Sequence, residues 1–392
     1  MNADRWLNRR LQDAPHVGSR LTESRRAQVS NAGCEVLNLK PYPSRPLPAH
    51  ILEAAREAAA QPVSPPSRGL PEFNSAVAAA LRSELSIELD PERNVLATNG
   101  GMHALFVTFL CLLNPGDEVL VPSPCYFLEG IIEPLGGRII YVPMEETRDY
   151  AWDLDLLEAH ITARTKCLFL NTPVNPTGRV LSEDELRRIA ELADRYNLLL
   201  IADESYNTLV YDGGSHRSAA ALPLAQPRTL LIRSFTNSFA MPGWRVAFVA
   251  GPAVLIDALT KTLEWTTLHG AYVNQVAAVA ALRGPQDWLA GVAREFQSAR
   301  DLICSYIGRN GAISAITPVG GPFVFINVRR LRRSSDEVAA VLLEDFGIPT
   351  TPGRFLHGPQ HVRMAFGAGV EVLTETADRL ARAVAAIGTQ SD

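Results

Sequence analysis

From Val95 onward, short β-rich runs alternate with helical stretches, and this alternation constrains the fold more than any other feature of the chain. The runs are almost wholly apolar, as are strands that are buried on both faces of a sheet. One stretch between them, residues 183–196, has the spacing of an amphipathic helix. Strands and helices in this order predict an α/β domain with a mainly parallel sheet. The predicted strands are residues 119–121, 138–142, 167–170, 198–201 and 229–232.

The pattern changes after about residue 285. Long helical stretches then flank a few β-rich runs, which predicts a smaller α+β domain. The helical stretches are residues 288–307, 335–346 and 372–387, and the runs include 323–326 and 361–364. A chain of 392 residues has room for two or three domains. We therefore predict an N-terminal arm (residues 1–45), a large domain (46–285) and a small domain (286–392).

The composition narrows the functional classes. A net charge of -5 gives no reason to expect nucleic acid or an anionic membrane as a partner. The N-terminus has no apolar segment of the secretory kind, and the apolar run 104–113 is too short to span a bilayer. Five dispersed cysteines without metal-ligand spacing fit a reducing compartment better than a disulfide framework. We expect a cytoplasmic protein without a metal site.

Polar motifs follow the predicted strands. Glycines within residues 98–103 open a helix, where free backbone N–H groups can hold a phosphate, although many such turns only start a helix. Residues 175–178 read Asn-Pro-Thr-Gly after a strand, at the edge where α/β sheets bind ligands, and the alternative is a proline-rich turn. Asp203 ends the next strand, either as a helix cap or as an acid of a site.

A further segment, residues 234–245, reads Ser-Phe-Thr-Asn-Ser-Phe-Ala-Met-Pro-Gly-Trp-Arg. It resembles the cofactor-lysine loop of the class I/II aminotransferases, in which a lysine stands where this chain has Asn237. With the motifs above, the resemblance extends from about residue 38 to the C-terminus. It implies a fold-type I transferase dependent on pyridoxal 5′-phosphate (PLP), with a mainly parallel seven-stranded sheet in the large domain and the arm near the small α+β domain. It also implies a homodimer with its active site at the subunit interface.

The resemblance assigns roles around the cofactor ring. Asp203 should pair with the protonated ring nitrogen, which keeps the ring an electron sink. Tyr206 and Asn175 should hydrogen-bond the ring oxygen. Tyr126 should stack on the ring face, with Phe127 as the alternative because the spacing of this segment varies by one residue among relatives. Asp203, Tyr206 and position 237 are the predicted catalytic positions.

The cofactor phosphate and the substrate carboxylate should be held by separate groups. The resemblance implies a phosphate cup of backbone donors and one bidentate arginine. Arg363 should bind the α-carboxylate of an amino or keto acid, with Asn175 beside it, unless it is a surface arginine. No second arginine clearly marks a dicarboxylate pocket, and Arg68 and Arg354 stay open as candidates. The predicted cup residues are Gly100, Gly101, Met102, Ser234 and Arg245.

The chain departs from the family pattern in three places. Asn237 is the first, since a carboxamide can neither form an imine nor shuttle a proton as an amine does. Ser64 stands where the family has a tyrosine, five residues before Gly69, that reaches the phosphate of the partner subunit. Residues 38–43 replace the usual glycine-rich substrate segment, so we expect an unusual side-chain pocket around Tyr42.

No other residue is predicted to take over from the missing lysine. By family geometry Lys261 faces away from the ring, and Lys166 precedes a strand at the end opposite the ligand. His103 is read as a helix-start histidine beside the cup, and His216 and His269 are weaker candidates for a proton shuttle.

The functional hypotheses follow from Asn237. The chain is either an engineered variant that traps an aminotransferase with its amino acid, or a natural homologue that works without the lysine. In both cases PLP is bound non-covalently, as its external aldimine with substrate, or as the pyridoxamine form. The alternatives are a dehydratase or cyclase that needs no internal aldimine, and a non-catalytic partner of an active paralogue.

Overall fold

The computed structural model describes residues 6, 9–12, 18–43 and 45–389. Its largest feature is a seven-stranded sheet with the order β1-β7-β6-β5-β4-β2-β3. The strands are β1 (Val95–Thr98), β2 (Glu118–Ser123), β3 (Arg138–Pro143), β4 (Thr165–Asn171), β5 (Leu199–Asp203), β6 (Thr229–Ser234) and β7 (Ala247–Ala250).

Most of the sheet is parallel, as the apolar runs predict. Strands β3, β2, β4, β5 and β6 pair parallel, whereas β7 is antiparallel to both β6 and β1. The large sheet therefore has the predicted mainly parallel, seven-stranded arrangement of an α/β fold. Asn171 and Asp203 are register partners at the carboxyl ends of β4 and β5. Polar groups that end these strands thus meet at one edge of the sheet.

Helices cover the sheet and connect its strands. Helix α8 shows why one of them forms: Ser182 and Glu185 make a reciprocal capping box, and the apolar side chains of the helix are buried. The helices are α1 (Arg9–Gln12), α2 (Gly18–Asn31), α3 (Ala49–Ala59), α4 (Pro71–Leu85), α5 (Gly101–Leu112), α6 (Glu129–Ile132), α7 (Leu154–Ala159), α8 (Glu183–Arg195), α9 (Phe235–Ser238), α10 (Ala253–Thr267), α11 (Tyr272–Arg283), α12 (Asp287–Arg309), α13 (Ser335–Glu344) and α14 (Val370–Thr389).

A second sheet lies in the C-terminal part. It is antiparallel, with the order β8-β10-β9, from β8 (Phe323–Asn327), β9 (Thr351–Pro352) and β10 (His361–Ala365). Its core includes apolar side chains of α12, α13 and α14, and also Leu37 and Leu39 from the N-terminal segment. The predicted domain boundaries at residues 45 and 285 stay a prediction.

Lys166 lies within a strand. The expectation that it precedes the strand is wrong, because β4 begins at Thr165.

Within the ranges given above, no helix combines the length and apolarity that crossing a membrane requires.

Candidate active site

A cavity of about 540 Å³ lies at the carboxyl ends of β4, β5 and β6 and reaches β10 of the second sheet. The structure brings most of the predicted site residues to its wall, although they come from distant parts of the chain. Those that line it are Gly101, Met102, Tyr126, Asn175, Asp203, Tyr206, Ser234, Asn237, Arg245 and Arg363.

One end of the cavity is formed by a glycine turn and a helix N-terminus. Gly100 has φ 90° and precedes α5, whose first residue is Gly101. The first N–H groups of a helix have no partner inside the helix. A Cβ at Gly100 would lie 2.8 Å from Cζ of Arg245, so the glycine lets the guanidinium approach the turn. Backbone donors and a cation thus converge in a way that suits an anion.

Ser234 and Arg245 belong to one loop beside this turn. Ser234 caps α9 by accepting a hydrogen bond from the backbone of Thr236, and its hydroxyl donates to Oγ1 of Thr236 at 3.0 Å. Arg245 has φ 49°, and its Nη1 donates to the carbonyl of Pro242 at 3.2 Å. Its side chain is exposed, and none of the described carboxylates forms an ion pair with it. The guanidinium is therefore available to an anionic ligand.

Asp203 is buried at the end of β5 and is held by three donors. Its Oδ1 accepts hydrogen bonds from the backbone N–H and the hydroxyl of Ser205. Its Oδ2 accepts from the hydroxyl of Tyr126. Burial raises the pKa of Asp203, and the hydrogen bonds of Ser205 and Tyr126 oppose that rise. A direct bond between Tyr126 and the acid is a contact that the predicted stacking role did not include.

Asn175 connects this edge of the sheet to Arg363. Its backbone N–H donates to Oδ1 of Asn171 at 2.7 Å, and Asn171 in turn donates to the carbonyl of Asp203. The side chain of Asn175 hydrogen-bonds Tyr206 and accepts from Nη1 of Arg363. Burial raises the pKa of the Tyr206 phenol. The ends of β4 and β5 therefore set the position of the amide.

Arg363 is buried in the middle of β10. Its Nη2 donates to Oγ1 of Thr351 at 3.2 Å, and the guanidinium lies 4.3 Å from the ring of Phe323 and 5.6 Å from that of Phe127. Burial lowers the pKa of Arg363 to about 10. No carboxylate of the described residues pairs with it, although an unpaired buried charge is costly. This guanidinium suits a carboxylate ligand.

Asn237 lies in α9 and faces the same cavity. It is buried, and its Oδ1 has no hydrogen-bond partner among the described residues. Leaving a buried acceptor unsatisfied costs about 1–3 kcal/mol. A ligand that donates a hydrogen bond here would recover that cost.

These groups fit a phosphorylated pyridine aldehyde such as PLP. The glycine turn with Arg245 matches its phosphate, and the buried carboxylate of Asp203 matches a protonated ring nitrogen. The unsatisfied Oδ1 of Asn237 is consistent with a polar ligand between these two points. Arg363 then remains for a carboxylate of a second molecule.

Other candidates lie away from the cavity. His103 accepts from the backbone of Asn99 and contacts Thr266, and burial lowers its pKa. His269 contacts Ser64 at 3.0 Å. His216 is buried near Glu204.

Both arginines left open as dicarboxylate candidates have carboxylate partners instead. Arg68 pairs with Asp257, and Arg354 pairs with Asp336 at 2.7 Å. Neither arginine lines the cavity.

The structure also adds residues that the sequence reasoning missed. Lys40 lines the cavity, whereas neither Lys166 nor Lys261 does. Thr351 holds Arg363, and Arg26 and Glu23 of α2 reach the cavity wall. The alternation of leucines at positions 37 and 39 is the sequence signal for Lys40. Both leucines are buried, and alternate residues of an extended segment point to opposite sides, so Lys40 points away from their core.

The chain is similar to known proteins in both sequence and fold. A family described as aminotransferase class I and II matches residues 38–384. A probable aspartate/prephenate aminotransferase of Thermus aquaticus is 32% identical over 97% of this chain and 100% of its own length. Aromatic-amino-acid aminotransferase 2 of Thermococcus litoralis is 30% identical over 85% of this chain and 87% of its own. The structure of Thermus thermophilus aspartate aminotransferase with maleate superposes with a TM-score of 0.91 and 29% identity, over 96% of this chain and 99% of that one.

Proposed function

The chain belongs to the class I and II aminotransferases, and from this premise we propose that it binds PLP without a covalent bond to position 237 and acts on an α-amino or α-keto acid. The observation that carries the proposal is one cavity with an anion-binding turn, a buried acid and a buried guanidinium that pairs with none of the described carboxylates. The names of the relatives include aspartate, prephenate and aromatic amino acids, so the family alone does not select a side chain.

In this proposal the protein's own residues hold the cofactor at both ends. The N–H groups at Gly101 and Met102, with Ser234 and Arg245, bind the phosphate, and Gly100 gives them room. Bound PLP supplies an aldehyde for the substrate amino group and a ring that withdraws electrons from the substrate α-carbon.

The ring itself is held by a second group of residues. Asp203 keeps the ring nitrogen protonated, because a nearby carboxylate favours the charged form of that nitrogen. Tyr206 and Asn175 bind the ring oxygen. Tyr126 lies against the ring face, with Phe127 as the alternative, and its bond to Asp203 fixes the orientation of the acid.

Arg363 is the proposed site of the substrate carboxylate. A planar guanidinium binds a carboxylate through two parallel hydrogen bonds, and Asn175 and Thr351 already fix its plane. The carboxylate would also neutralise a buried charge. This supports an α-amino or α-keto acid as the ligand.

At position 237 the amide can donate and accept hydrogen bonds, but it is neither a nucleophile nor a base at neutral pH. We therefore infer that Asn237 orients the cofactor or the substrate without bonding to either. Two hypotheses explain Asn237: an engineered replacement of lysine, or a natural lysine-free enzyme such as a dehydratase or cyclase. They predict opposite results when the lysine is restored.

Absorbance titration of the purified protein with PLP, followed by a panel of amino acids, tests this function. We expect a perturbed PLP spectrum that changes again with an amino acid, and loss of both changes in Arg245→Gln. Asn237→Lys should add a band for covalently bound PLP. Turnover of amino acid to keto acid in that variant supports an engineered origin, whereas loss of an existing reaction supports a natural one. A spectrum of free PLP at all protein concentrations would exclude a cofactor site.

We further propose a homodimer whose interface lies beside the cavity. Met102, Phe106 and Leu110 are spaced by four residues along one face of α5 and are each at least 36% exposed. Trp265 and Leu268, at the end of the neighbouring helix α10, are 92% and 65% exposed. Such a group of apolar side chains marks an interaction surface, and Met102 belongs both to it and to the cavity.

The solution mass of Trp265→Asp tests this interface, with Val319→Asp, which is exposed elsewhere, as its control. We expect a dimer for the unaltered chain and the control and a monomer for Trp265→Asp. A dimer in all three would contradict this interface. We also propose a cytoplasmic location, supported by five cysteines that form no disulfide.

A further inference from the structure

The segment around Lys40 is extended and presents two faces. Leu37 and Leu39 are buried in the core beneath the second sheet. Because alternate residues of an extended segment point to opposite sides, Asn38 and Lys40 face away from that core. Asn38 and Lys40 line the cavity that contains Asn237, as does Leu39 between them. The buried leucines therefore direct the amine of Lys40 towards the candidate active site.

The backbone of Lys40 is fixed against the strand that carries Arg363. The N–H of Gly367, just beyond β10, donates to the carbonyl of Lys40 at 2.8 Å, and the two residues form an antiparallel bridge. A Cβ at position 367 would collide with that carbonyl and would lie 2.9 Å from the carbonyl of Tyr42. The glycine thus permits this close approach, and Lys40 is anchored near the proposed carboxylate site.

The other two lysines of the chain cannot reach this place. Nζ of Lys166 pairs with Asp117 at 2.8 Å, near the amino end of β4, whereas the cavity lies at the carboxyl end. Lys261 is exposed on α10 and lies near Asp257, away from the cavity. Since the chain has three lysines, Lys40 is the amine that faces the site.

The amine of Lys40 lies beside an aromatic ring. Its Nζ lies 5.7 Å from the ring centre of Tyr42, and none of the carboxylates in the described ranges is within ion-pair distance of it. The neighbouring cation Arg26 instead donates to the carbonyl of Leu37 and to Oδ1 of Asn38. Arg26 therefore supports the segment, and the amine of Lys40 is available to a ligand.

We propose that Lys40 is the proton-transferring amine of this site, in place of the amine that position 237 lacks. The inference depends on the proposed function. In this role the amine of Lys40 would take the α-proton of the bound amino acid and return it to a carbon of the same ligand. Bound PLP would supply the conjugated ring that takes up the electron pair of the broken C–H bond. The step needs no external oxidant or reductant, and Lys40 forms no bond to the cofactor.

The first test follows exchange of the α-hydrogen of L-aspartate and of L-phenylalanine in D₂O with added PLP, by NMR. Lys40→Met and Lys40→Arg should both reduce exchange by roughly 10²–10⁴-fold. The arginine variant keeps a long basic side chain, but its guanidinium stays protonated and cannot accept a proton. Ethylamine should restore exchange to Lys40→Ala, because a small amine can replace a missing base but not a missing packing contact. Unchanged exchange in Lys40→Arg would show a purely electrostatic role and overturn the proposal.

A second measurement does not depend on turnover. Limited acetylation followed by mass spectrometry should show that PLP with an amino acid protects Lys40 at least severalfold, while Lys261 serves as the internal control. Equal labelling of Lys40 with and without ligand would overturn the proposal.

The two proposals fail differently. If the unaltered chain perturbs the spectra of PLP and amino acid but exchanges no α-hydrogen, the role of Lys40 is overturned and the binding function stands. If it perturbs neither spectrum, both are overturned.

Discussion

Nη1 of Arg363 donates a hydrogen bond to Oδ1 of Asn175 at 2.9 Å, and this contact joins the two sheets of the protein across the cavity. Arg363 belongs to β10 of the antiparallel sheet, and Asn175 follows β4 of the large sheet. A carboxylate bound to Arg363 would therefore contact groups anchored in both sheets. Substrate binding and the relative position of the sheets are expected to be coupled.

Arg363→Met should weaken binding of the amino acid and leave PLP binding intact. Loss of a buried, hydrogen-bonded charge partner costs about 2–5 kcal/mol of binding free energy. The dissociation constant of the amino acid should therefore rise at least roughly 30-fold. The measurement is the amino-acid-dependent change in PLP absorbance. Arg354→Met is the matched control, since Arg354 pairs with Asp336 outside the cavity. Equal affinities in both variants would exclude Arg363 as the carboxylate site.

Much of the site could be predicted because it lies at strand ends. Residues that follow parallel strands share one edge of the sheet, so Asn175 and Asp203 had to lie close together once their strands were recognised. The fold followed from the same runs. Contacts between distant segments could not be predicted in this way, because they depend on packing that no local pattern encodes. The bond from Tyr126 to Asp203 and the bridge from Lys40 to Gly367 are of this kind.

Asp203→Asn should stabilise the protein without cofactor and weaken its binding of PLP. Burial raises the pKa of Asp203 above its usual 3.8. The protonated carboxyl therefore contributes to the stability of the fold below pH 3.8, and this contribution is lost as the pH rises through the higher pKa of the folded state. The amide of Asp203→Asn does not ionise, so the variant does not lose stability in this way. Melting temperatures between pH 4 and pH 8 should show an advantage for the variant that grows with pH.

With added PLP, the parent should have the higher melting temperature, because PLP binds the parent more tightly than Asp203→Asn and so stabilises it more. The exposed Asp155→Asn is the control and should follow the parent at each pH. An advantage that is constant over the pH range would contradict the assignment to the Asp203 charge.

Arg233→Met should destabilise the fold by about 3–5 kcal/mol, because it leaves Glu204 buried and unpaired. Nη2 of Arg233 donates to Glu204 at 2.9 Å and Nη1 to Glu84 at 2.6 Å. Adding Glu204→Gln to the variant should restore part of the loss, since the buried charge is then absent. Urea denaturation measures the free energies of unfolding. Arg187→Met, which breaks an exposed pair with Glu183, should leave the free energy of unfolding nearly unchanged.

Gly100→Ala should weaken PLP binding, whereas Gly116→Ala, which has similar backbone strain, should not. Gly100 and Gly116 both have φ 90°, so alanine strains either position by about 1 kcal/mol or more. A Cβ at Gly116 meets no atom within 4 Å, whereas a Cβ at Gly100 meets the guanidinium of Arg245. Both variants should therefore lose similar stability, but only Gly100→Ala should displace Arg245 and lose affinity for PLP and for inorganic phosphate. Equal phosphate affinity in the two variants would mean that the turn at Gly100 does not form the anion site.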